Sequence, residues 1–298
     1  MLGAVMVACA VGALESCSRK AAETSVFIDP QFLALVPPDT TLLVGLRVEN
    51  LVKTPLYQKY LSGGKIRIID RFARGTGINP EKSLWSLLLV SNGRDSVVLG
   101  RGKFADELMA PDFSKKGVER FGYHGLTMFG DEQQAMLLVN SSTIAMGDTV
   151  TLRALVDRRP SFRGLPETLS ALTKEVPHET QFWGIYAGGP QELPLSGNLA
   201  NINKVLDLMG SGIFYFDVTD GVKGTITGNA ANAQEAQQAH DGLVGFLGLG
   251  RMMMPKGQSD LARALDGIQV TQEGQRVTVK ITESDELAGM LAGVLLQQ

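Results

Sequence analysis

Cysteine disappears from the chain after Cys17; Cys9 and Cys17 are the only two. Their absence from the body excludes a disulfide framework, a cysteine-based zinc site and a cysteine nucleophile there. Excess charge is also missing. Lys and Arg total 28 against 31 Asp and Glu, a formal net charge of −3. Nucleic-acid binding needs clustered cations to displace counterions, so the balance gives no case for it. The local pairs Lys115-Lys116 and Arg158-Arg159 read as solvated surface charge. Histidine is scarce: His124, His178 and His240 stand alone, without a partner at metal-ligand spacing. The G-x-x-x-x-G-K-[ST], H-E-x-x-H and G-x-S-x-G signatures do not occur. The Gly245–Gly250 run lacks G-x-G-x-x-G spacing and falls late in a helical pattern, so its glycines read as sites of close backbone approach. Long apolar runs are missing too. Leu2–Leu14 has thirteen residues, fewer than the roughly 20 that a membrane-spanning helix needs.

A repeated string is present. Val36-Pro37-Pro38-Asp39-Thr40 leads into Leu42-Leu43-Val44, and Val176-Pro177-His178-Glu179-Thr180 leads into Phe182-Trp183-Gly184-Ile185, 140 positions later. Two further landmarks recur at similar offsets: the turn dipeptides Asn92-Gly93 and Asp220-Gly221, 128 apart, and Gly125-Leu126 and Gly267-Ile268, 142 apart. Such periodicity predicts an internal duplication. The 298 residues, 44 % hydrophobic, suffice for two units with a real core.

The local patterns agree with an α+β fold. Thr41–Val48 is nearly continuous in apolar residues, as a strand covered on both faces should be. Residues 86–91 and 96–101 read as a hairpin, 125–129, 135–140 and 143–147 as strands, and 105–109 as a short helix. After the marker of the second unit come strands at 181–187, 213–218 and 222–228, a long helix over 230–254, and a hairpin at 268–272 and 276–282. The expected architecture is two similar units of mostly antiparallel sheet with helices packed on one face. Residues 31–157 form the first, 168–298 the second, and the Pro- and Arg-rich 158–167 the linker.

Few residues suggest chemistry. Asp39 and Glu179 are matched acids at the two markers; paired acids could bind a metal or do acid–base work, but carboxylates at such positions commonly stabilise turns, and no catalytic residue or metal ligand is assigned. Trp85 and Trp183 read as core anchors. Phe246, Leu249, Met252, Met253 and Met254 form an unusual apolar, methionine-rich run. It either fills the core between the units or offers an adaptable patch to an apolar ligand or partner protein.

The N-terminus fits the apolar segment of a secretory signal over residues 1–17, followed by a polar tether over 18–30. Leu14-Glu15-Ser16-Cys17 resembles a bacterial lipobox, although Glu15 stands where small or aliphatic residues are usual. The alternative is a plain apolar helix with Cys17 an incidental thiol. With the markers and the Gly77-Ile78-Asn79-Pro80 segment, the chain resembles bacterial secreted lipoproteins built from duplicated α+β units. The resemblance implies lipidation at Cys17, a membrane anchor through that lipid, and export to the cell envelope. Ser18 rather than Asp after the cysteine implies outer-membrane sorting. It implies no cofactor. The expected role is a non-catalytic envelope domain that binds a partner protein or an apolar ligand. The competing readings are a periplasmic hydrolase with an Asp/Glu/His site and a purely structural envelope component.

Overall fold

In a computed structural model, residues 25–62, 66, 69–70, 73, 78–104, 119–188, 201–252 and 259–296 are described. Cys9, Cys17, the 105–109 segment, Met253 and Met254 lie outside them. The fold is α+β, and among the described residues the strands form one antiparallel sheet of twelve. In chain order these are β1 (Leu42–Leu46), β2 (Leu84–Ser91), β3 (Ser96–Gly102), β4 (Glu119–Tyr123), β5 (Leu126–Gly130), β6 (Gln134–Asn140), β7 (Thr143–Asp148), β8 (Phe182–Ala187), β9 (Met209–Asp217), β10 (Val222–Ala230), β11 (Ile268–Glu273) and β12 (Arg276–Glu283). Across the sheet the order is β11-β12-β10-β9-β8-β1-β2-β3-β7-β6-β5-β4.

The two strands that follow the repeated strings meet at the middle of this order. β1 and β8 run antiparallel, with Leu42 opposite Tyr186, Gly45 opposite Trp183 and Leu46 opposite Phe182. Both are central strands, which explains their unbroken apolar character: each is covered on both faces. The two sequence units therefore share one continuous sheet.

The helices are α1 (Pro30–Leu33), α2 (Val48–Leu51), α3 (Pro80–Ser83), α4 (Thr149–Arg158), α5 (Glu167–Thr173), α6 (Asn201–Leu206), α7 (Ala233–Met252), α8 (Ser259–Asp266) and α9 (Asp285–Leu296), with a π-helical turn at Tyr57–Leu61. Asp29 caps α1 by accepting from the Gln31 amide at 2.8 Å. Asn232 caps α7, accepting from the Glu235 amide at 2.9 Å while Glu235 accepts from the Asn232 side chain at 3.0 Å.

The helices lie on both faces of the sheet, where the sequence suggested one. Phe32 of α1, Leu152 and Leu155 of α4 and Leu169 of α5 pack with Leu43, Leu88, Leu99 and Leu137. Leu51 of α2, Tyr57 of the π-turn and Ala288 of α9 pack with Leu46, Leu87 and Ile144. Successive strand residues point to opposite faces, so these are two cores separated by the sheet. A third, smaller cluster joins Ala236 and Ala239 of α7 to Met209, Ala230 and Val277. The cause is the central strands: a sheet whose middle is apolar on both faces must be covered twice. Strand β4 is absent from the sequence reading. Its Glu119-Arg120-Phe121-Gly122-Tyr123 lacks alternation because it is the outer strand, where charge blunts an exposed edge.

Candidate functional site

The methionine-rich run ends α7, and its described part is split by the helix's own geometry. Val244, Leu249 and Met252 are 46, 59 and 84 % exposed, whereas Phe246 is half-buried. At about 100° per residue, the three exposed side chains fall within about 140° of the helix circumference, and Phe246 lies outside that arc. The glycines among them do not act as expected. A Cβ at Gly245 or Gly248 would meet nothing within 4 Å; only at Gly250 would one press on Leu265, at 3.3 Å. Close backbone approach thus does not explain Gly245 and Gly248 among the described residues. Alanine at either should raise stability by about 0.5–1 kcal/mol, since glycine in a helix interior costs about that much relative to alanine. Urea denaturation of the two single variants would measure it, and a loss of stability would mean that something packs there.

The repeated strings form matching turns. The amides of Thr40 and Thr180 donate to the carbonyls of Pro37 and Pro177 at 3.2 and 3.3 Å. Val36, Val176, Thr40 and Thr180 are all buried. The acids differ. Asp39 accepts from Asn92 Nδ2 and from Arg158 Nη2, each at 3.0 Å. These contacts, the Asn92 bond foremost, hold its carboxyl below the usual carboxylate range. Glu179 pairs with His178 Nδ1 and Arg47 Nη1, both at 3.1 Å, and its carboxyl is likewise lowered, chiefly by His178. Because β1 and β8 are antiparallel, the acids sit at opposite ends of the central ribbon. The length of β1 alone separates them by more than about 14 Å at roughly 3.4 Å per residue, so they cannot act as a dyad. They tie the marker turns to neighbouring elements rather than capping the turns themselves.

Each histidine stands beside an acid. His124 Nε2 is 3.3 Å from Asp157, which also accepts from the Tyr123 hydroxyl at 2.9 Å. His240 Nδ1 is 2.9 Å from Asp241. His124 occupies the left-handed region with φ 46°, next to Gly125 at φ 81°, in the tight β4–β5 turn. These pairs lie apart from one another. Among the described residues, no three His, Cys, Asp or Glu side chains cluster as metal ligands would. No described helix is long and apolar enough to cross a membrane.

Two concavities stand out among the described residues. A shallow one of about 380 Å³ lies on the polar face of β10 and β12, against Tyr215, Lys223, Thr225, Lys280 and Thr282. The second, of about 210 Å³, lies where β1, β2 and β8 meet the segment before α1. Both tryptophans line it. Trp183 is the expected core anchor at 2 % exposure, but Trp85 is 40 % exposed. The pairing register of β2 with β3 shifts between Leu84 and Ser86, so Trp85 occupies an irregularity that strand alternation could not reveal.

Glu283 is a buried acid outside both concavities. It is 8 % exposed, and its Oε1 has no hydrogen-bond partner among the described residues. Desolvation raises its pKa above the ordinary 4.5, with Asp266 adding to the rise and Arg263 opposing it. A carboxyl whose folded pKa is raised supports stability below its unfolded value and loses that support as pH climbs through the folded value. Glu283→Gln should therefore raise the Tm at pH 7, with the gain shrinking as pH falls through the raised folded value and gone by about pH 4. A gain that persists undiminished in acid would show that the carboxylate is not its source.

No family profile matches the chain, and no curated protein matches it in sequence. Solved structures of TP0453 match it over almost its whole length. Crystal form III superposes with a TM-score of 0.53 at 15 % identity, covering 91 % of this chain and 99 % of that one. Crystal form I gives 0.49 at 13 % identity, covering 92 and 98 %, and form IV gives 0.48 at 14 %, covering 89 and 96 %. At such identity the form III match is a likeness of fold.

Proposed function

We propose that the protein is a non-catalytic lipoprotein of a bacterial cell envelope, tethered through lipidated Cys17, whose body docks a partner protein or an apolar ligand on the outer stripe of α7. The observation that carries the docking reading is the exposure of Val244, Leu249 and Met252 along one side of a 20-residue helix. Solvent-facing apolar side chains aligned on one element mark interaction surfaces more often than scattered ones do. The flexible Met252 side chain suits an irregular partner. Met253 and Met254 extend the same run in sequence. The anchor reading rests on the lipobox-like Leu14–Cys17 and the cysteine-free body.

The same proposal takes residues 31–157 and 168–298 as two copies of one unit. Outward from the centre the strands read β1-β2-β3-β7-β6-β5-β4 on one side and β8-β9-β10-β12-β11 on the other, so the first copy carries two strands more. Exchanging Leu42 with Phe182 and Leu46 with Tyr186, the offset of 140, returns the central pairing to itself.

Two measurements test the functional reading. Mass spectrometry of protein from native membranes should find a diacylglyceryl group on Cys17; an unmodified, uncleaved N-terminus would end the anchor proposal. Copurification from detergent-solubilised membranes should recover a specific protein or lipid with the wild type and lose it with Leu249→Asp. Recovery of bare monomer in both would count against docking. A hydrolase would need acids and a histidine converging in one pocket, and the three histidine pairs are separate surface pairs.

A further inference from the structure

The 210 Å³ cleft is not part of the α7 stripe and has its own chemistry. Its exposed walls are aromatic: Phe27 is 49 % and Trp85 40 % exposed, and Trp183 lies deeper, beside Gly45. The charged groups around it are mostly spoken for. Asp29 binds Arg101 Nε at 3.0 Å and the Gln31 amide at 2.8 Å. Arg101 also donates to the Ser142 carbonyl and Thr143 Oγ1, each at 3.0 Å. Arg47 is engaged by Glu179 at 3.1 Å and the His178 carbonyl at 3.2 Å. Glu49, at the start of α2, lines the cleft and forms no ion pair or hydrogen bond among the described residues.

We propose that this cleft binds a small organic cation, an alkylammonium group seated against Phe27 and Trp85 with Glu49 as its counter-charge. Aromatic faces are the negative poles of their quadrupoles and attract such cations, Trp most strongly. Trp85 already does this on the protein's own account: the Arg101 guanidinium carbon lies 5.7 Å from its ring centroid. An anion would find both guanidinium groups committed and a free carboxylate facing it. A neutral apolar ligand would desolvate Glu49 and leave it without a partner. Size points the same way. Pockets for drug-sized molecules run roughly 300–1,000 Å³, so about 210 Å³ suits a headgroup or a small free cation.

The chain has only two tryptophans and both line the cleft, so intrinsic fluorescence reports on this site. Titrating the full chain with choline chloride, at ionic strength held constant with sodium chloride, should give a saturable change in emission. Glu49→Gln should weaken the midpoint about fivefold, the scale of one exposed charge pair. Trp85→Ala, at an exposed position, should abolish saturation as read through Trp183. The uncharged isostere 3,3-dimethylbutan-1-ol should give no saturable response. An equal response to the isostere, or an unchanged midpoint in Glu49→Gln, overturns the proposal. So does a flat choline titration on protein whose circular dichroism and cooperative melt show it folded. Phosphatidylcholine vesicles as competitor separate the two sources of this chemistry: displacement of choline assigns a lipid headgroup, no displacement assigns a free cation, and both outcomes support cation recognition.

Discussion

Trp183→Ala is expected to cost about 3–5 kcal/mol of stability, the range for deleting a buried large aromatic. Trp183 is 2 % exposed, sits on β8 and belongs to the core that also holds Leu43, Leu88 and Ile185. The surrounding strands are paired on both sides, β8 with β1 and with β9, so they cannot close on the cavity. The loss should therefore fall near the top of the range and lower the Tm by on the order of 10 °C. Because β1 and β8 join the two halves of the sheet, the variant should weaken both together, in a single transition followed by far-ultraviolet circular dichroism. A cost below about 1 kcal/mol would show that the indole does not fill the core.

The second large effect lies directly across the strand. Gly45 is the register partner of Trp183, and a Cβ there would stand 2.2 Å from the indole Cε2. That is far inside van der Waals contact, so Gly45→Ala must displace the ring, at an expected cost of about 1–3 kcal/mol for overpacking. The sign should change in the Trp183→Ala background. There the added methyl enters a cavity, and alanine in a strand avoids the entropic cost of glycine, about 0.5–1 kcal/mol. A double-mutant cycle should thus give a coupling larger than about 1 kcal/mol. Additive single effects would mean that the ring and the glycine do not touch in solution.

This pair is one of a series. Phe214 lies over Gly184, Tyr186 over Gly212 and Phe216 over Gly224, each directly opposite in register. Glycine weakens a strand taken alone. Here each glycine leaves room for a cross-strand ring to lie flat along the sheet, and Phe182, Phe214 and Phe216 pack with centroids 5.2–6.3 Å apart. Composition alone would mark these strands as poor; their partners make them tight.

Much of the fold is legible in the sequence. The unbroken apolar run of β1 and the Asn92-Gly93 and Asp220-Gly221 turns are local signals, because turn dihedrals and strand periodicity depend on residues within a few positions. The two Val-Pro strings correctly marked the strands β1 and β8. What they could not reveal is that these two strands pair with each other, with Leu42 against Tyr186. Pairing across 140 positions is decided by which surfaces fit, and no local pattern encodes it. The candidate sites divide in the same way. Composition already located the apolar end of α7, but the exposure of Leu249 and Met252 and the half-burial of Phe246 depend on what the helix packs against. The cleft was invisible in sequence: Phe27, Glu49, Trp85 and Trp183 come from four separate segments. By itself, then, the sequence determined most of the strands, the α+β class and the matching turns, all consequences of short-range stereochemistry and patterning, but not the edge strand β4. Only the tertiary structure decided that the halves share one sheet, that its apolar centre needs helices on both faces, and that one charge, Glu49, beside two exposed rings, has no ionic partner among the described residues.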